Sequence, residues 1–267
     1  MLHGGVAEGA VVRDDAQLVA VLFGVGGKAV GAQGKAVPAK DYGHDLEAML
    51  AAIDENPRVV FIANPNNPTG TWFGPQALEA FLSRVPESVL VVLDEAYIEY
   101  AEGDELPDGL TYLARYPNLL VSRTFSKAYG LAALRVGYGI CSAQIADVLN
   151  RVRQPFNVNS LALAAACAAL ADSDYLAASR TVNDQGMAQL EAGFRQLGLS
   201  WIASKANFIA VDLGCEAMPI FQALLREGVI VRPVANYGMP TYLRISIGLP
   251  AENARFLEAL AKVLPRG

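Results

Sequence analysis

The segment Leu119-Leu-Val-Ser-Arg-Thr-Phe-Ser-Lys-Ala-Tyr-Gly-Leu-Ala-Ala-Leu-Arg135 carries an apolar run into a lysine and then an arginine. The run Leu119–Val121 predicts a buried strand. Lys127 follows it, between the hydroxyl of Ser126 and the small residue Ala128. A lysine delivered at the end of a strand is placed to act as an amine nucleophile toward a carbonyl. A lone lysine is more often a surface charge, so the rest of the chain must discriminate between these interpretations.

Two further apolar runs precede this segment, and each ends in polar residues. Val59–Ala63 opens into the turn Asn64-Pro-Asn-Asn-Pro-Thr-Gly70, and Val89–Leu93 runs into Asp94-Glu-Ala-Tyr97. Continuous apolar runs of this length are typical of strands that are buried on both faces of a sheet. A fourth strand and two flanking helices are predicted over Val136–Ile140, Asp41–Asn56 and Pro75–Leu82. Strands that alternate with helices indicate an α/β architecture with a largely parallel sheet.

After Ser142 the pattern changes to long helices followed by a mixture of elements. Helices are predicted over Ile145–Arg153, Val158–Leu170, Asp174–Leu197, Met218–Glu227 and Ala254–Val263. Strands are predicted over Ser200–Ala203, Asn207–Leu213, Val229–Pro233 and Tyr242–Ile247. Asp172 or Ser173 is expected to cap the longest helix. We therefore predict a large domain over residues 1–155, and bridging helices with a smaller α+β domain over residues 156–267.

Composition excludes several classes of function. The 267 residues are 53% hydrophobic and 18% charged, as in a globular chain with a substantial core. The net charge of −6 argues against nucleic acid or an anionic membrane as a partner. The 3 cysteines are far apart and the 2 histidines are too few for a His-rich metal site, so we predict no metal and a reducing, cytoplasmic location. No leader peptide or membrane span is expected.

The segment Gly24-Val-Gly-Gly-Lys-Ala29 supports a different interpretation. It follows the apolar run Leu18–Phe23 and fits the G-x-G-x-x-A pattern of a dinucleotide-binding oxidoreductase, with Asp41 and Asp45 near the spacing of a ribose-binding acid. Two more glycines follow where the phosphate-binding helix should run, and each costs roughly 1 kcal/mol relative to alanine. We therefore rank this interpretation low. It is not a P-loop either, because Ala29 stands where a Ser or Thr would hold Mg²⁺.

Five motifs, in this chain order, resemble those of the fold-type I pyridoxal-phosphate (PLP) aminotransferases. They are Asn64–Gly70, Asp94-x-Ala-Tyr97, Ser122–Ala132, Arg135-x-Gly-Tyr138 and Tyr242-Leu-Arg-Ile-Ser-Ile-Gly248. The likeness runs from about Lys28 to the C-terminus. It is greatest to the histidinol-phosphate aminotransferases, through Gln154–Ala162, Gly228–Pro233 and the segment around Arg244. The resemblance implies an α/β PLP-transferase fold like that of aspartate aminotransferase, with a mostly parallel sheet in the large domain and a smaller C-terminal α+β domain.

The resemblance also implies a catalytic role for three residues. Lys127 would form a Schiff base with PLP and then move the proton between substrate and cofactor. Asp94 would keep the pyridine nitrogen protonated, so that the ring acts as an electron sink. Tyr97, together with Asn67, would hydrogen-bond the oxygen on the cofactor ring.

Further residues would hold the cofactor phosphate and the substrate. By resemblance, the cofactor phosphate would bind to Thr124, Ser126 and Arg135, since an arginine fork suits a phosphate. The substrate would contact Arg244 through a carboxylate and Arg232 through the phosphate of histidinol phosphate, and Asn157 and Asn159 would line the site. The implied reaction is transamination of L-histidinol phosphate with 2-oxoglutarate, in histidine biosynthesis. The implied assembly is a homodimer with its active site at the interface.

The chain differs from the family at its beginning, where residues 1–27 do not resemble it. The family has an N-terminal portion, with a phosphate-binding turn and a substrate-covering arm, that finds no counterpart in this sequence. From that difference we expect weak PLP binding, low turnover and apolar surface left exposed. The alternatives that share the cofactor contacts are an aromatic aminotransferase, a threonine-phosphate decarboxylase and a non-catalytic remnant of the fold.

Overall fold

Two four-stranded sheets organise the part of the chain that this computed structural model describes, which is residues 34–53, 59–101, 103 and 105–265. The predicted strand Leu18–Phe23 and the glycine-rich segment Gly24–Ala29 lie outside these residues. The predicted end of the first helix at Asn56 lies outside them as well.

The first sheet contains the three strands that precede the polar motifs. Its order is β1-β2-β3-β4, with β1 parallel to β2 and β2 parallel to β3. The strands are β1 Val59–Ala63, β2 Leu90–Asp94, β3 Leu119–Thr124 and β4 Gly137–Cys141. The last strand runs antiparallel to β3, because residues 125–136 contain one short 3-10 turn and no crossover helix. The predicted, mostly parallel sheet is therefore present.

Two helices pack beside this sheet. The second, α2 Pro75–Leu82, has the predicted bounds and begins at a proline. The first, α1 Leu46–Ala51, is shorter than the predicted Asp41–Asn56. Asp41 and Tyr42 have φ values of 50° and 63°, which are incompatible with a right-handed helix, and Asp45 caps the helix by accepting from Ala48 N at 2.9 Å. The fully buried side chains of this core include Ile62, Leu78, Phe81, Val91, Leu93, Leu119 and Val121.

The second half of the chain has the predicted α+β composition. Three consecutive helices lead into it: α3 Ala143–Val152, α4 Ser160–Ala171 and α5 Ser173–Gln196. Asp172 caps α5 by accepting from Tyr175 N at 2.9 Å, as one of the two predicted caps. The antiparallel second sheet has the order β5-β6-β8-β7. Its strands are β5 Ser200–Ile202, β6 Phe208–Asp212, β7 Arg232–Val234 and β8 Met239–Ser246, and the helices that cover it are α6 Ala217–Arg226 and α7 Pro250–Val263.

One strand of this sheet begins later than predicted. We predicted a strand over Val229–Pro233, whereas β7 starts at Arg232. Val229 N instead donates to Leu224 O at 2.9 Å, and Gly228 has a φ of 75°. Gly228 and Val229 therefore form the C-terminal cap of α6. Backbone groups that close a helix cannot pair in a sheet at the same time.

The core of the second sheet lies between α5, α6 and α7. Its fully buried side chains include Leu190, Phe194, Ile209, Val211, Leu224, Leu243 and Leu260. By contrast, α4 packs its buried Ala162 and Ala166 against Phe125 and Val136 of the loop that follows β3. The predicted domain boundary between residues 155 and 156 stays a prediction.

No single helix among the described residues combines the length and apolar character needed to cross a bilayer. Helices α4 and α5 meet that criterion only when taken together, and they are bent by 78° relative to each other.

Candidate active site

Polar side chains converge where β1, β2 and β3 end. Ala63 pairs with Asp94, and Asp94 pairs with Ser122, so β1 and β2 end at one level and β3 continues two residues beyond it to Thr124. In an open α/β sheet, ligands bind in the crevice outside the carboxyl ends of the strands. The turn after Ala63, the acid Asp94 and the lysine loop therefore share one site, as the sequence analysis expected.

Asp94 lies half-buried at the centre of this edge. Burial raises the pKa of its carboxyl from 3.8 to about 6. Three interactions oppose that rise: a hydrogen bond from Ser122 Oγ to Asp94 Oδ1 at 3.2 Å, the backbone N–H of Ala96, and the positive charge of Lys127. The carboxyl thus titrates near neutral pH, where a small change in its partners alters its charge.

An aromatic pair joins the lysine to the second sheet. Lys127 Nζ lies 5.4 Å from the ring centroid of Tyr97, which is buried. The Tyr97 ring meets Phe208 edge to face, with centroids 5.2 Å apart. On the far side, the guanidinium carbon of Arg244 lies 4.8 Å from the Phe208 centroid. Both cations are thus held over aromatic faces, which attract positive charge.

Arg244 also contacts the turn that follows β1. Its Nη1 donates to Asn67 Oδ1, so a strand of the second sheet binds directly to the first-sheet edge. Arg232 pairs with Arg244 across β7 and β8. Directly opposed residues of antiparallel strands have their side chains on the same face. The two predicted substrate arginines are therefore neighbours, with Arg232 exposed and Arg244 half-buried.

The predicted phosphate-binding residues lie together after β3. Ser126 N donates to Thr124 Oγ1 at 3.1 Å, and Arg135 Nη1 lies 3.5 Å from Ser126 Oγ. Arg135 Nη1 also donates to Ala132 O at 2.6 Å. Two hydroxyls and a guanidinium within this short reach form a donor set that suits an anion with several oxygens.

The two predicted asparagines lie at the start of α4. Asn159 Oδ1 caps this helix by accepting from Ala162 N at 2.8 Å, and its Nδ2 lies 3.4 Å from Leu134 O. Asn157 is exposed and accepts from Arg153 Nη1 at 3.2 Å. Asn159 therefore ties α4 to the loop that carries Arg135. That either residue lines the site stays a prediction.

A buried ion pair behind the site was missed in the sequence analysis. Glu95, whose side chain is 1% exposed, accepts from Arg123 Nε at 2.9 Å and Nη2 at 2.7 Å, and from Gly109 N at 2.7 Å. Arg123 Nη2 also donates to Asp108 Oδ1 at 2.6 Å. A Cβ at Gly109 would stand 2.8 Å from Glu95 Oε1, so only glycine fits there. The one signal in the sequence was that Glu95 directly follows Asp94 and that Arg123 directly follows Ser122.

His44 was also missed, and it supports the end of β1. His44 Nε2 lies 3.0 Å from Ala63 O and 3.2 Å from Ala63 N, so the tautomer of the ring decides whether it donates to the carbonyl or accepts from the N–H. Burial lowers the pKa of His44 to about 4, so the ring is neutral at neutral pH. The imidazole thereby holds the backbone immediately before the asparagine-rich turn.

Comparison with known proteins identifies one family. Residues 26–260 match the model of the family "Aminotransferase class I and II". The chain is 77% identical over 246 residues to histidinol-phosphate aminotransferase 2 of Pseudomonas fluorescens strain Pf0-1, and 76% identical over 243 residues to that of Pseudomonas aeruginosa strain PAO1. These matches cover 92% and 91% of this chain and 66% of each relative. The chain thus spans just under two thirds of the length of these relatives.

Solved structures share the fold. Histidinol-phosphate aminotransferase from Sinorhizobium meliloti, in complex with pyridoxal-5'-phosphate, superposes with a TM-score of 0.82 at 37% identity, covering 88% of this chain and 65% of that one. The Clostridium acetobutylicum enzyme of the same name has a TM-score of 0.82 at 24% identity, covering 89% and 73%. The predicted fold class, that of the PLP-dependent transferases, is confirmed by these likenesses.

The substitution Asp94→Asn is expected to stabilise the chain at neutral pH. The folded pKa of about 6 exceeds the ordinary 3.8, so the folded state binds more protons in that window. The free energy of unfolding therefore falls as the pH rises through it. Asparagine does not ionise, so the variant should exceed the wild type in stability by about 3 kcal/mol at about pH 7.5 and match it near pH 3.5.

Urea unfolding at both pH values measures this difference. Asp147→Asn, in an exposed ion pair with Arg151, serves as the matched control and should change stability little at either pH. An Asp94→Asn gain that is the same at both pH values, or absent at neutral pH, would contradict the assignment.

Proposed function

We infer the function of this chain from its family, since it belongs to the class I and II aminotransferases. We propose that it carries the PLP site of a histidinol-phosphate aminotransferase, which exchanges an amino group between L-histidinol phosphate and 2-oxoglutarate in histidine biosynthesis. The observation that carries the proposal is that Lys127 lies over the Tyr97 ring within electrostatic reach of Asp94, while Arg244 binds Asn67 in the turn after the neighbouring strand. The high identity to relatives with that name supports the substrate.

The donor set of the site fits PLP. When bound, PLP supplies an electron sink for negative charge that develops at the substrate Cα. Asp94 would pair with the pyridine nitrogen and hold a proton there. Thr124 Oγ1 accepts from a backbone N–H, so its own hydroxyl hydrogen can donate to a phosphate oxygen. Ser126 Oγ and the Arg135 guanidinium would complete the phosphate site.

Lys127 would act as the covalent anchor and the proton carrier. Its ammonium group lies over the Tyr97 ring and within electrostatic reach of Asp94. The flexible lysine side chain can therefore swing between a link to the cofactor and the substrate Cα without leaving the site. Tyr97 and Asn67 would orient the cofactor ring from the two neighbouring strand ends.

The arginine pair suits the two anionic substrates. Histidinol phosphate carries a phosphate and no carboxylate, whereas 2-oxoglutarate carries two carboxylates. Arg244 would bind a carboxylate of the oxo acid in a bidentate manner, and Arg232 would bind the phosphate of histidinol phosphate. Two guanidinium groups at opposed positions of β7 and β8 can serve these substrates in turn.

The thiols support a cytoplasmic setting for the chain. Cys141, Cys167 and Cys215 are free in this structure. Free thiols at partly exposed positions are typical of a reducing compartment. We therefore assign the enzyme to the cytoplasm, and fractionation of cells that produce the tagged chain would test this: recovery with the periplasm would contradict it.

Lys127→Ala is expected to abolish the lysine-linked cofactor. Titration of the unmodified chain with PLP should produce a near-ultraviolet or visible absorbance band. Borohydride reduction of the bound cofactor should then leave a stable adduct on Lys127, detected by mass spectrometry. The Lys127→Ala variant should show neither signal. Adding histidinol phosphate to the unreduced chain should remove this absorbance band. Lys262→Ala, which alters an exposed ion pair with Glu227, is the control and should keep both signals. Labelling of other lysines with equal yield would overturn the proposal.

Arg232→Gln is expected to remove selectivity for the phosphate of the substrate. Loss of a charge-assisted bond costs about 1.5–3 kcal/mol, so kcat/KM for histidinol phosphate should fall roughly 10- to 100-fold. Histidinol without its phosphate should be affected little. Arg226→Gln, at an exposed position on α6, provides the matched control. An equal loss with both substrates would remove Arg232 from the phosphate site.

A second copy of this chain is the partner that we propose. Large apolar side chains are exposed along α3, the loop after it and α4, including Val152 at 74%, Phe156 at 97% and Leu161 at 75%. Exposed apolar surface patches are typical of protein interfaces, and these side chains fall within one stretch, residues 148–163. A dimer would cover them.

Light scattering during size-exclusion chromatography tests the dimer. We expect twice the mass of the 28.4 kDa chain, and dissociation of the Phe156→Asp and Leu161→Asp variants. Ile230→Asp, at a position that is 85% exposed on the segment before β7, should remain dimeric. A monomeric mass for the unmodified chain at every concentration would refute the dimer.

A further inference from the structure

Ser122 lies beside Asp94, the central acid of the site, and none of the predicted cofactor or substrate contacts involves it. We propose that Ser122 is a positioning residue, which holds the Asp94 carboxylate in the orientation and the ionised form that the cofactor ring nitrogen requires. This proposal rests on the proposed function for the nature of the cofactor. The contact itself, from Ser122 Oγ to Asp94 Oδ1, is present in the chain alone.

The geometry of the strands makes this contact specific. Asp94 is the last residue of β2, and its partner in the parallel register is Ser122 of β3. Their side chains therefore leave the sheet on the same face, and the short serine side chain reaches the carboxylate at 3.2 Å. A hydroxyl that donates to one carboxylate oxygen restricts rotation of the Asp94 carboxylate about its Cβ–Cγ bond. The acid is thereby aimed before any ligand arrives.

The neighbouring pair on the other face keeps the two strands in this register. Glu95 and Arg123 are the next residues along each strand, and they bond to each other in the interior. Both cross-strand pairs thus link the same two strands, one pair on each face. The backbone ladder and the ion pair already link the two strands, and the Ser122 hydroxyl is directed at the Asp94 carboxylate.

Electrostatics favours the same role. Burial drives the Asp94 carboxyl toward its neutral form, and the hydrogen bond from Ser122 is the largest of the interactions that oppose it. A neutral acid cannot hold a proton on a ring nitrogen by charge attraction. Removing the hydroxyl should therefore raise the pKa of Asp94 in the cofactor-free chain, whatever ligand the site binds.

The test is a carbon-13 NMR titration of aspartate side-chain carboxyls in the full chain without cofactor. The Asp94 signal is assigned by its loss in Asp94→Asn. We expect Ser122→Ala to move its titration midpoint upward by about one pH unit, the shift that corresponds to one hydrogen bond to a charged group. Ser122→Thr, which keeps a hydroxyl on the same carbon, should restore the midpoint. Ser83→Ala, at the exposed end of α2, should leave it unchanged.

A second measurement follows the bound cofactor. In the PLP-loaded chain, the nitrogen-15 shift of the cofactor ring should report a smaller protonated fraction in Ser122→Ala than in Ser122→Thr, while circular dichroism remains that of the folded chain. An unchanged Asp94 midpoint in Ser122→Ala, or a Thr variant that behaves like the Ala variant, would overturn the proposal. Failure of PLP to attach to Lys127 would instead count against the proposed function, since the Asp94 titration does not depend on it.

Discussion

The register between β2 and β3 is the constraint on which the site depends. Side chains alternate between the faces of a strand, so a slip by one residue moves each of them to the opposite face. In this structure Asp94 opposes Ser122, and Glu95 therefore leaves on the other face toward Arg123. A one-residue slip would exchange the two acids. Glu95 would then face the ligand site, and Asp94 would face the interior.

Two acids follow one another at the end of β2, and burial raises the pKa of both carboxyls. Glu95 has close partners in the interior, the Arg123 guanidinium and the backbone N–H of Gly109. Removing one partner of such a buried pair typically costs about 3–5 kcal/mol, because a charge is left without compensation. Asp94 has only partial compensation, and its pKa of about 6 reflects this. The site thus stores unfavourable electrostatic energy that a cationic ring nitrogen can relieve.

The second sheet completes the site through contacts with the turn after β1. Arg244 donates to Asn67, and Lys205 N donates to Gly70 O at 3.0 Å. The approach is close, since a Cβ at Gly70 would stand 1.9 Å from Ser204 Oγ, and the φ of 77° also favours glycine. The glycine that ends the asparagine-rich turn therefore permits the close approach through which Arg244 of the second sheet reaches Asn67.

Local patterns in the sequence predicted most of the elements and singled out the candidate reactive residues. Apolar runs predicted β1 to β3, a proline and helical spacing predicted α2 with its observed bounds, and the motifs singled out Lys127 and Asp94. These signals depend on neighbours within a few positions along the chain. Only the tertiary structure decided which residues meet across it: Ser122 with Asp94, 28 positions apart, His44 with Ala63, 19 apart, and Arg244 with Asn67, 177 apart. Strand register and side-chain pairing depend on contacts between distant segments, and no local periodicity encodes them.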